Sequence, residues 1–176
     1  MGHKISVIIP HFPFSDGIND TLKKCVSSLS GYDELVLVVN EGTGFAKAVN
    51  QGLRLAKGDF LMVVNNDTEW ISGDLKDLCV PGVVTSPRLN GRNQSFWGCF
   101  FVVPREVYER IGGLDEQFGT GFYEDDDYIK RLDEAGIVMQ SIPCDIISKG
   151  SQTMSQFDIP ELMKANKAKF EKKWGI

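Results

Sequence analysis

The run Gly58-Asp59-Phe60-Leu61-Met62-Val63-Val64-Asn65-Asn66-Asp67-Thr68 sets the architecture of everything around it. A Gly-Asp break precedes five apolar residues, which end abruptly in two amides and a carboxylate. Five apolar residues in a row predict a strand buried on both faces. The polar cluster then falls just past the strand's C-terminal end, the edge where open α/β sheets bind ligands. A carboxylate with amides there can hold a hard cation, which can in turn hold a diphosphate. Asn and Asp also favour turns, so a plain Asx-rich turn stays open as a second reading.

Immediately upstream, Asn40-Glu41-Gly42-Thr43-Gly44 is a glycine loop. The helix after it carries Phe45, Ala48, Val49, Gly52, Leu53 and Ala56 at helical spacing. With Glu34 to Val39 as the strand before the loop, this makes a βαβ unit and predicts a parallel sheet. The loop is neither GxGxxG nor a P-loop, so phosphate cradle and plain tight turn both stand. Further back, Lys4 to Ile9 reads as a β-branched strand stopped by Pro10, and His11 to Gly17 as a loop. A helix from about Asp20 to Ser30 follows, capped by Asn19 or Asp20 and ended by Gly31.

Downstream the pattern loosens from Trp70 to Gln94, with a short helix at Leu75 and Leu78 and a short strand at Gly82 to Ser86. Ser95 to Val103 reads as an aromatic and apolar strand, and Pro104 as the start of a helix closed by Gly112-Gly113. Leu114 to Phe122 is a loop. Glu124-Asp125-Asp126-Asp127 opens the next helix, where four acids suit the helix dipole and can be mere capping. Ile137 to Ile142 is a last strand. Pro160 starts a C-terminal helix whose apolar side, Leu162, Met163, Phe170 and Trp174, is interrupted by Asn166. That imperfect stripe predicts peripheral packing, with Lys164, Lys167, Lys169, Lys172 and Lys173 either solvated or facing an anionic surface.

The bulk properties narrow the field. At 176 residues the chain is read as one domain, residues 1–176. A net charge of −5 argues against general nucleic-acid binding. No apolar run approaches the length of a transmembrane segment, and no signal-peptide pattern opens the chain. The four cysteines are far apart, without a CxxC pair, which predicts buried thiols in a reducing, cytoplasmic compartment. The two histidines make no catalytic pair, His3 being terminal and His11 in a loop. No Gly-x-Ser-x-Gly elbow occurs, against a serine hydrolase. What remains is two acidic clusters at element boundaries, Asp67 with its amides and Glu124 to Asp127. One can hold a metal while the other takes a proton from a nucleophile.

Four stretches in order carry a resemblance: VIIPHF, GFAKAVNQGLRLAKGDFLMVVNNDT, GCFFVVPREVYERIGGLDEQF and YEDDDYIKRLDEAGI, with FEKKWG at the tail. They resemble the family-2 glycosyltransferases of the GT-A fold, near a rhamnosyltransferase-like branch. The resemblance implies an α/β fold: a single-domain, Rossmann-like, mixed but mainly parallel sheet flanked by helices. It implies a metal-dependent inverting glycosyltransferase of hexosyltransferase type, moving a sugar from a nucleotide-sugar donor to a hydroxyl acceptor. Carried over by position, Asn65-Asn66-Asp67 is a DXD-like motif with Asp67 the metal ligand for Mn2+ or Mg2+. Asp125 stands at the general base, with Glu124 orienting or assisting it. Pro10, Asn40, Lys47, Asn50, Asn65, Asn66, Trp97 and Gly98 stand on the donor side. Trp97 either stacks on the sugar or belongs to the core. Implied partners are a UDP-, dTDP- or GDP-sugar and a glycan or other hydroxyl acceptor, with a homodimer left open.

Three departures from the family pattern stand out. Asn40 occupies the place of an Asp that pairs with the donor base. The chain is short between Val39 and Gly44, so the fold looks trimmed relative to the family. Ser148, in SKGSQT, replaces a late histidine that helps bind the metal. These departures favour an alternative, a catalytically degenerate nucleotide-sugar or glycan binding module, which the intact Glu-Asp pair opposes. A nucleotidyltransferase ranks last, since HFPFSDG has no Lys or Arg for a triphosphate.

Overall fold

The computed structural model describes residues 3–13, 15–148, 150 and 157–176. Strand β1 is Ile5–His11, helix α1 Asp16–Ser28, β2 Glu34–Val39, α2 Phe45–Leu55, β3 Phe60–Val64 and β4 Thr68–Ser72. They are followed by β5 Val83–Leu89, β6 Phe100–Pro104, α3 Arg105–Ile111, α4 Glu124–Glu134, β7 Val138–Ser148 and α5 Ile159–Trp174. Single turns of 3-10 helix lie at Leu75–Leu78 and Glu116–Phe118.

The strands form one seven-stranded sheet in the order β2-β1-β3-β6-β5-β7-β4. Parallel pairing joins β1 to β2 and β3, as the βαβ reading expects. The parallel bias stops there. β6 runs antiparallel to both β3 and β5, and β4 antiparallel to β7, while β5 and β7 are parallel. The α/β fold is therefore an evenly mixed sheet with helices on both faces. Ile5, Val7 and Ile9 with Phe60, Met62 and Val64 pack beneath α1, through Cys25 and Leu29. The opposite face, including Ile8, Leu61 and Val63, packs against α2, α3 and α4.

All five residues of β3 are buried, as its unbroken apolar run requires. Other boundaries move for local reasons. β1 continues through Pro10 to His11, so His11 is a strand residue rather than a loop residue. Past Ile8 that strand pairs with β2 alone, and an edge tolerates proline. α1 starts at Asp16, with Ser15 Oγ accepting from the Ile18 amide at 3.4 Å. Asn19, an expected cap, is inside the helix and bonded to His11. The strand expected at Ser95 begins at Phe100, and the residues before it form a turn. β7 is longer than expected, reaching Ser148. Beyond it, Lys149 and 151–153 of SKGSQT lie outside the described residues, as does Phe14 of the expected loop.

The largest revision concerns α5. Asn166 does not break its packing face but is that helix's buried residue, at 0 % exposure. Lys169 and Lys173 are likewise engaged in hydrogen bonds rather than freely solvated.

α2 lies so close to β1 that a Cβ on Gly52 would collide with the Ile8 side chain and stand 3.3 Å from Val38 Cγ2. Both neighbours are buried. Gly52→Ala should therefore destabilise the fold by about 1–3 kcal/mol through overpacking, despite alanine's better helix propensity. Urea unfolding monitored by circular dichroism measures this, with a lower midpoint at unchanged slope expected.

Candidate active site

The end of β3 does two things at once. The Asn65 carbonyl accepts from the Thr68 amide at 3.1 Å, closing a turn that leads directly into β4. Asn65, Asn66 and Asp67 in that turn also line a cleft of about 410 Å³. Turn chemistry and ligand-site geometry thus describe the same residues.

The Asn65 amide donates to the Cys99 carbonyl at 2.8 Å, which ties this turn to the Trp97–Cys99 turn before β6. Across the cleft, Glu124 and Asp125 come from the start of α4. Gly98 permits their approach, since a Cβ there would stand 3.1 Å from Asp125 Oδ2 and 3.2 Å from its Cβ. The expectation that Asp67 and Asp125 share one hollow is therefore met in the geometry. Cys99 lies between them. Burial first, then the charges of Asp67 and Asp125, push its thiol up to about 12. It stays neutral at physiological pH and is no thiolate nucleophile.

Glu124 is 7 % exposed. Burial, reinforced by the adjacent Asp125 charge, pushes its carboxyl up to about 8, so it carries a proton at neutral pH. The four acids thus have different environments. Asp127 is wholly buried and accepts from Arg131 Nε at 2.9 Å, Lys173 Nζ at 2.6 Å and Trp174 Nε1 at 3.0 Å. It is a structural anchor turned away from the cleft, whereas Asp125 lines it.

The backbone entering α4 is strained. Phe122 and Tyr123, neither a glycine, have φ of 67° and 72°. Two such residues cost roughly 1–3 kcal/mol each. Phe122 lines the cleft and Tyr123 sets the angle at which Glu124 and Asp125 enter it.

Other positions divide cleanly. Pro10, Asn40, Asn65, Asn66, Trp97 and Gly98 line the cleft. Lys47 is exposed on α2 and is not among the lining residues. Asn50 is buried against the loop after α3, bonding Leu114 N and O at 2.8 Å and Glu116 at 3.0 Å. Of the residues expected on the donor side, these two do not line the cleft; α2 contributes its N-terminus, Gly44 and Phe45, there. Trp97 is half-buried at the cleft wall. The core ring is its neighbour Phe96, packed on Phe101 and Tyr128. Asn40 Oδ1 accepts from the Thr43 amide at 2.9 Å and hydroxyl at 3.1 Å, which holds the glycine loop.

His11 is a residue the sequence undervalued. Asn66 Nδ2 donates to His11 Nδ1 at 2.8 Å, which leaves His11 Nε2 to bond Asn19 Oδ1 at 2.9 Å. This relay fixes the Asn66 side chain from beneath. Phe12, Phe45, Phe122 and Phe157 add an aromatic lining that spacing alone did not single out.

For a cation, the residues offer oxygen ligands. Asp67 supplies a carboxylate, and Ser148 Oγ donates to Asp67 Oδ1 at 3.5 Å, at the position expected of the late histidine. Asn65 Oδ1 is buried without a hydrogen-bond partner. This set suits a hard ion shared with a ligand's phosphates. An all-protein cage is not formed, since no cluster of three or more His, Cys, Asp or Glu side chains suited to a metal occurs among the described residues. Among those residues no helix is long and apolar enough to cross a membrane.

Residues 6–79 match the pattern described as Glycosyl transferase family 2, and residues 82–155 the pattern described as N-terminal domain of galactosyltransferase. No curated protein sequence matches. Among solved structures, Drosophila β1,4-galactosyltransferase 7, complexed with manganese, UDP-Gal and xylobiose, superposes with a TM-score of 0.66 at 15% identity, covering 92% of this chain and 79% of that one. GalNAc-T7 with UDP, GalNAc and Mn2+ gives 0.68 at 14% identity, covering 83% of this chain and 44% of that one. A mannosyltransferase from Pyrobaculum calidifontis with GDP-Man and Mn2+ gives 0.62 at 20% identity, covering 82% and 57%. The chain thus spans about half the length of the latter two. At these identities the structural likenesses speak to the fold. With the two sequence patterns, they indicate a family-2-like glycosyltransferase domain of the GT-A fold.

Proposed function

We propose that this chain is a metal-dependent, inverting hexosyltransferase that moves a sugar from a UDP-, dTDP- or GDP-sugar to a hydroxyl of a glycan or other acceptor. The observation that carries the proposal is that Asp67 and Asp125 line one cleft. The buried polar atoms support it. Asn65, Trp97 and Glu124 line that cleft, and each has one buried side-chain atom, Oδ1, Nε1 and Oε2, without a hydrogen-bond partner. Buried polar groups are nearly always paired, so small side-chain movements toward a hydroxyl-rich ligand would satisfy them.

Asp125 is the base. It accepts the acceptor hydroxyl's proton as that oxygen attacks the anomeric carbon and the bond to the nucleoside diphosphate breaks. Cys99 and Glu124, both held protonated at neutral pH, do not compete with Asp125 for that proton. Protonated Glu124 donates to a ligand hydroxyl and orients it. Trp97 offers a ring face and an N–H to the sugar. Pro10, Asn40 and the glycine loop border the nucleotide. The α2 N-terminus, which has no side-chain cap, favours phosphate charge. Asp67, with Asn65 and Ser148, would hold Mn2+ or Mg2+; such an ion, when bound, neutralises the charge of the departing diphosphate. A rhamnosyltransferase-like specificity and a reducing, cytoplasmic setting, in keeping with four free cysteines, complete the reading.

One observation favours the second reading, a binding module without turnover: Ser148 beside Asp67 in place of a stronger ligand. Release of nucleoside diphosphate from a panel of sugar nucleotides with manganese separates the two.

Asp125→Asn should lower kcat by about 10²–10⁴-fold while the donor's dissociation constant stays within about twofold. Wild-type turnover in this variant would refute the base. Asp67→Ala should weaken donor binding as well as rate. Calorimetric titration with manganese alone should show weak binding that strengthens when UDP or GDP is present; tight binding without nucleotide would contradict a shared ion. Glu124 gives a pH signature. Its folded value of about 8 lies above the ordinary 4.5, so its contribution to stability is complete below pH 4.5 and lost as pH rises through 8. Glu124→Gln should therefore gain thermal stability over the parent above pH 8, on the order of 5 °C, and much less near pH 5. Unfolding scans in chelator at the two pH values measure the difference.

A further inference from the structure

α5 meets the segment that carries the candidate base along nearly its whole length. Asn166 Nδ2 donates to the carbonyls of Phe118 at 2.7 Å, Gly121 at 2.8 Å and Phe122 at 3.1 Å. Two hydrogens serve three acceptors, so one bond is shared. Asn166 Oδ1 accepts from Lys169 Nζ at 2.8 Å, and the same ammonium donates to the Gln117 carbonyl at 2.8 Å. Phe170 packs on Tyr123, ring centres 5.5 Å apart. Lys173 bridges Asp115 and Asp127 at 2.6 Å each.

Between the 3-10 turn that ends at Phe118 and the start of α4, residues 119–123 have no helix or strand of their own to hold them. Thr120, Gly121 and Phe122 line the cleft. Phe122 and Tyr123 occupy the left-handed region that side chains avoid. Strained backbone persists where its surroundings over-determine it. Here the surroundings are the Asn166 amide and, one turn further along the same helix, the Phe170 ring. The chemistry of the amide matters as well as its size. A carboxylate of the same shape would set negative charge against three carbonyl oxygens, while alanine would leave those oxygens without their buried donor.

We propose that Asn166 is a positioning residue, whose side-chain amide clamps the Phe118–Phe122 carbonyls and so aims Phe122 and Asp125 into the cleft. This role rests on the reading of Asp125 as the base and extends it to a helix that contributes only its first-turn neighbour, Phe157, to the cleft wall.

The test uses the full chain with Asn166→Asp, Asn166→Ala and, as a milder variant at a solvent-accessible position, Lys169→Met. Gly52→Ala serves as a destabilised control remote from the cleft. Two readouts are taken: amide hydrogen exchange of residues 118–124 without nucleotide, and nucleoside diphosphate release with manganese and the sugar nucleotide the wild type uses. Exchange there should quicken on the order of tenfold in the Asn166 variants. kcat should fall about tenfold or more, with the donor KM within about twofold, because the base moves and the diphosphate site does not. Lys169→Met should shift both in the same direction by less. Gly52→Ala, matched for loss of thermal stability, should leave both near wild type. Wild-type exchange at 118–124 in the Asn166 variants would overturn the clamp, as would a kcat loss no greater than that of Gly52→Ala. If the wild type released no nucleotide from any donor, the proposed reaction would fail while the exchange measurement still decided the clamp.

Discussion

A strand buried on both faces can carry no charge along its length, and β3 obeys this over all five residues. Every polar group that this central strand contributes must therefore lie at an end. The amides and carboxylate of Asn65-Asn66-Asp67 are gathered where the chain first leaves the core. The same constraint acts on β1 and β6, which flank β3 and are fully buried. Pro10, near the end of β1, and the Trp97–Cys99 turn before β6 reach the same edge. The cleft is thus a consequence of core burial: three apolar strands end together and leave a hollow lined by what could not be placed inside.

Negative charge then has to be managed in that hollow. Asp67 and Asp125 both act on Cys99, and Asp125 acts on Glu124. Each responds by keeping its proton. Two carboxylates that border one cleft repel each other. A cation entering with a phosphate ligand would reduce that repulsion.

Much of this was legible in the residues. β3, α2 and α4 show clear apolar runs or helical periodicity, and the polar turn after β3 is where such a sheet places ligands. The facing of Asp67 and Asp125 follows from that topology. What was not legible depended on contacts between distant segments. Asn166 breaks an apolar stripe, which in isolation looks like a packing defect; only the 48-residue reach to the Phe118 carbonyl gives it a purpose. Asn50 sits on the helix beside the cleft, yet it serves a loop 64 residues away. Trp97 and Phe96 are adjacent aromatics, and period alone does not say which faces inward across a turn. β4 escaped notice because its residues become exposed toward its end, so little apolar pattern marks it.

The acidic quartet shows why such contacts decide function. Read as sequence, Glu124, Asp125, Asp126 and Asp127 are interchangeable acids suited to a helix N-terminus. In the fold they are separated by what reaches them. α5 sends Lys173 and Trp174 to Asp127, and Arg131 joins them one turn along α4, so that carboxylate is consumed in holding two helices together. With Asp127 fixed inward, α4 can rotate neither way without breaking its bonds to Lys173 and Trp174. Asp125, two residues earlier and on another side of the helix, is thereby held toward Gly98, where the absence of a side chain leaves room for it. The buried structural acid determines where the cleft-facing one points, and a helix outside the sheet becomes part of the machinery that sets its aim.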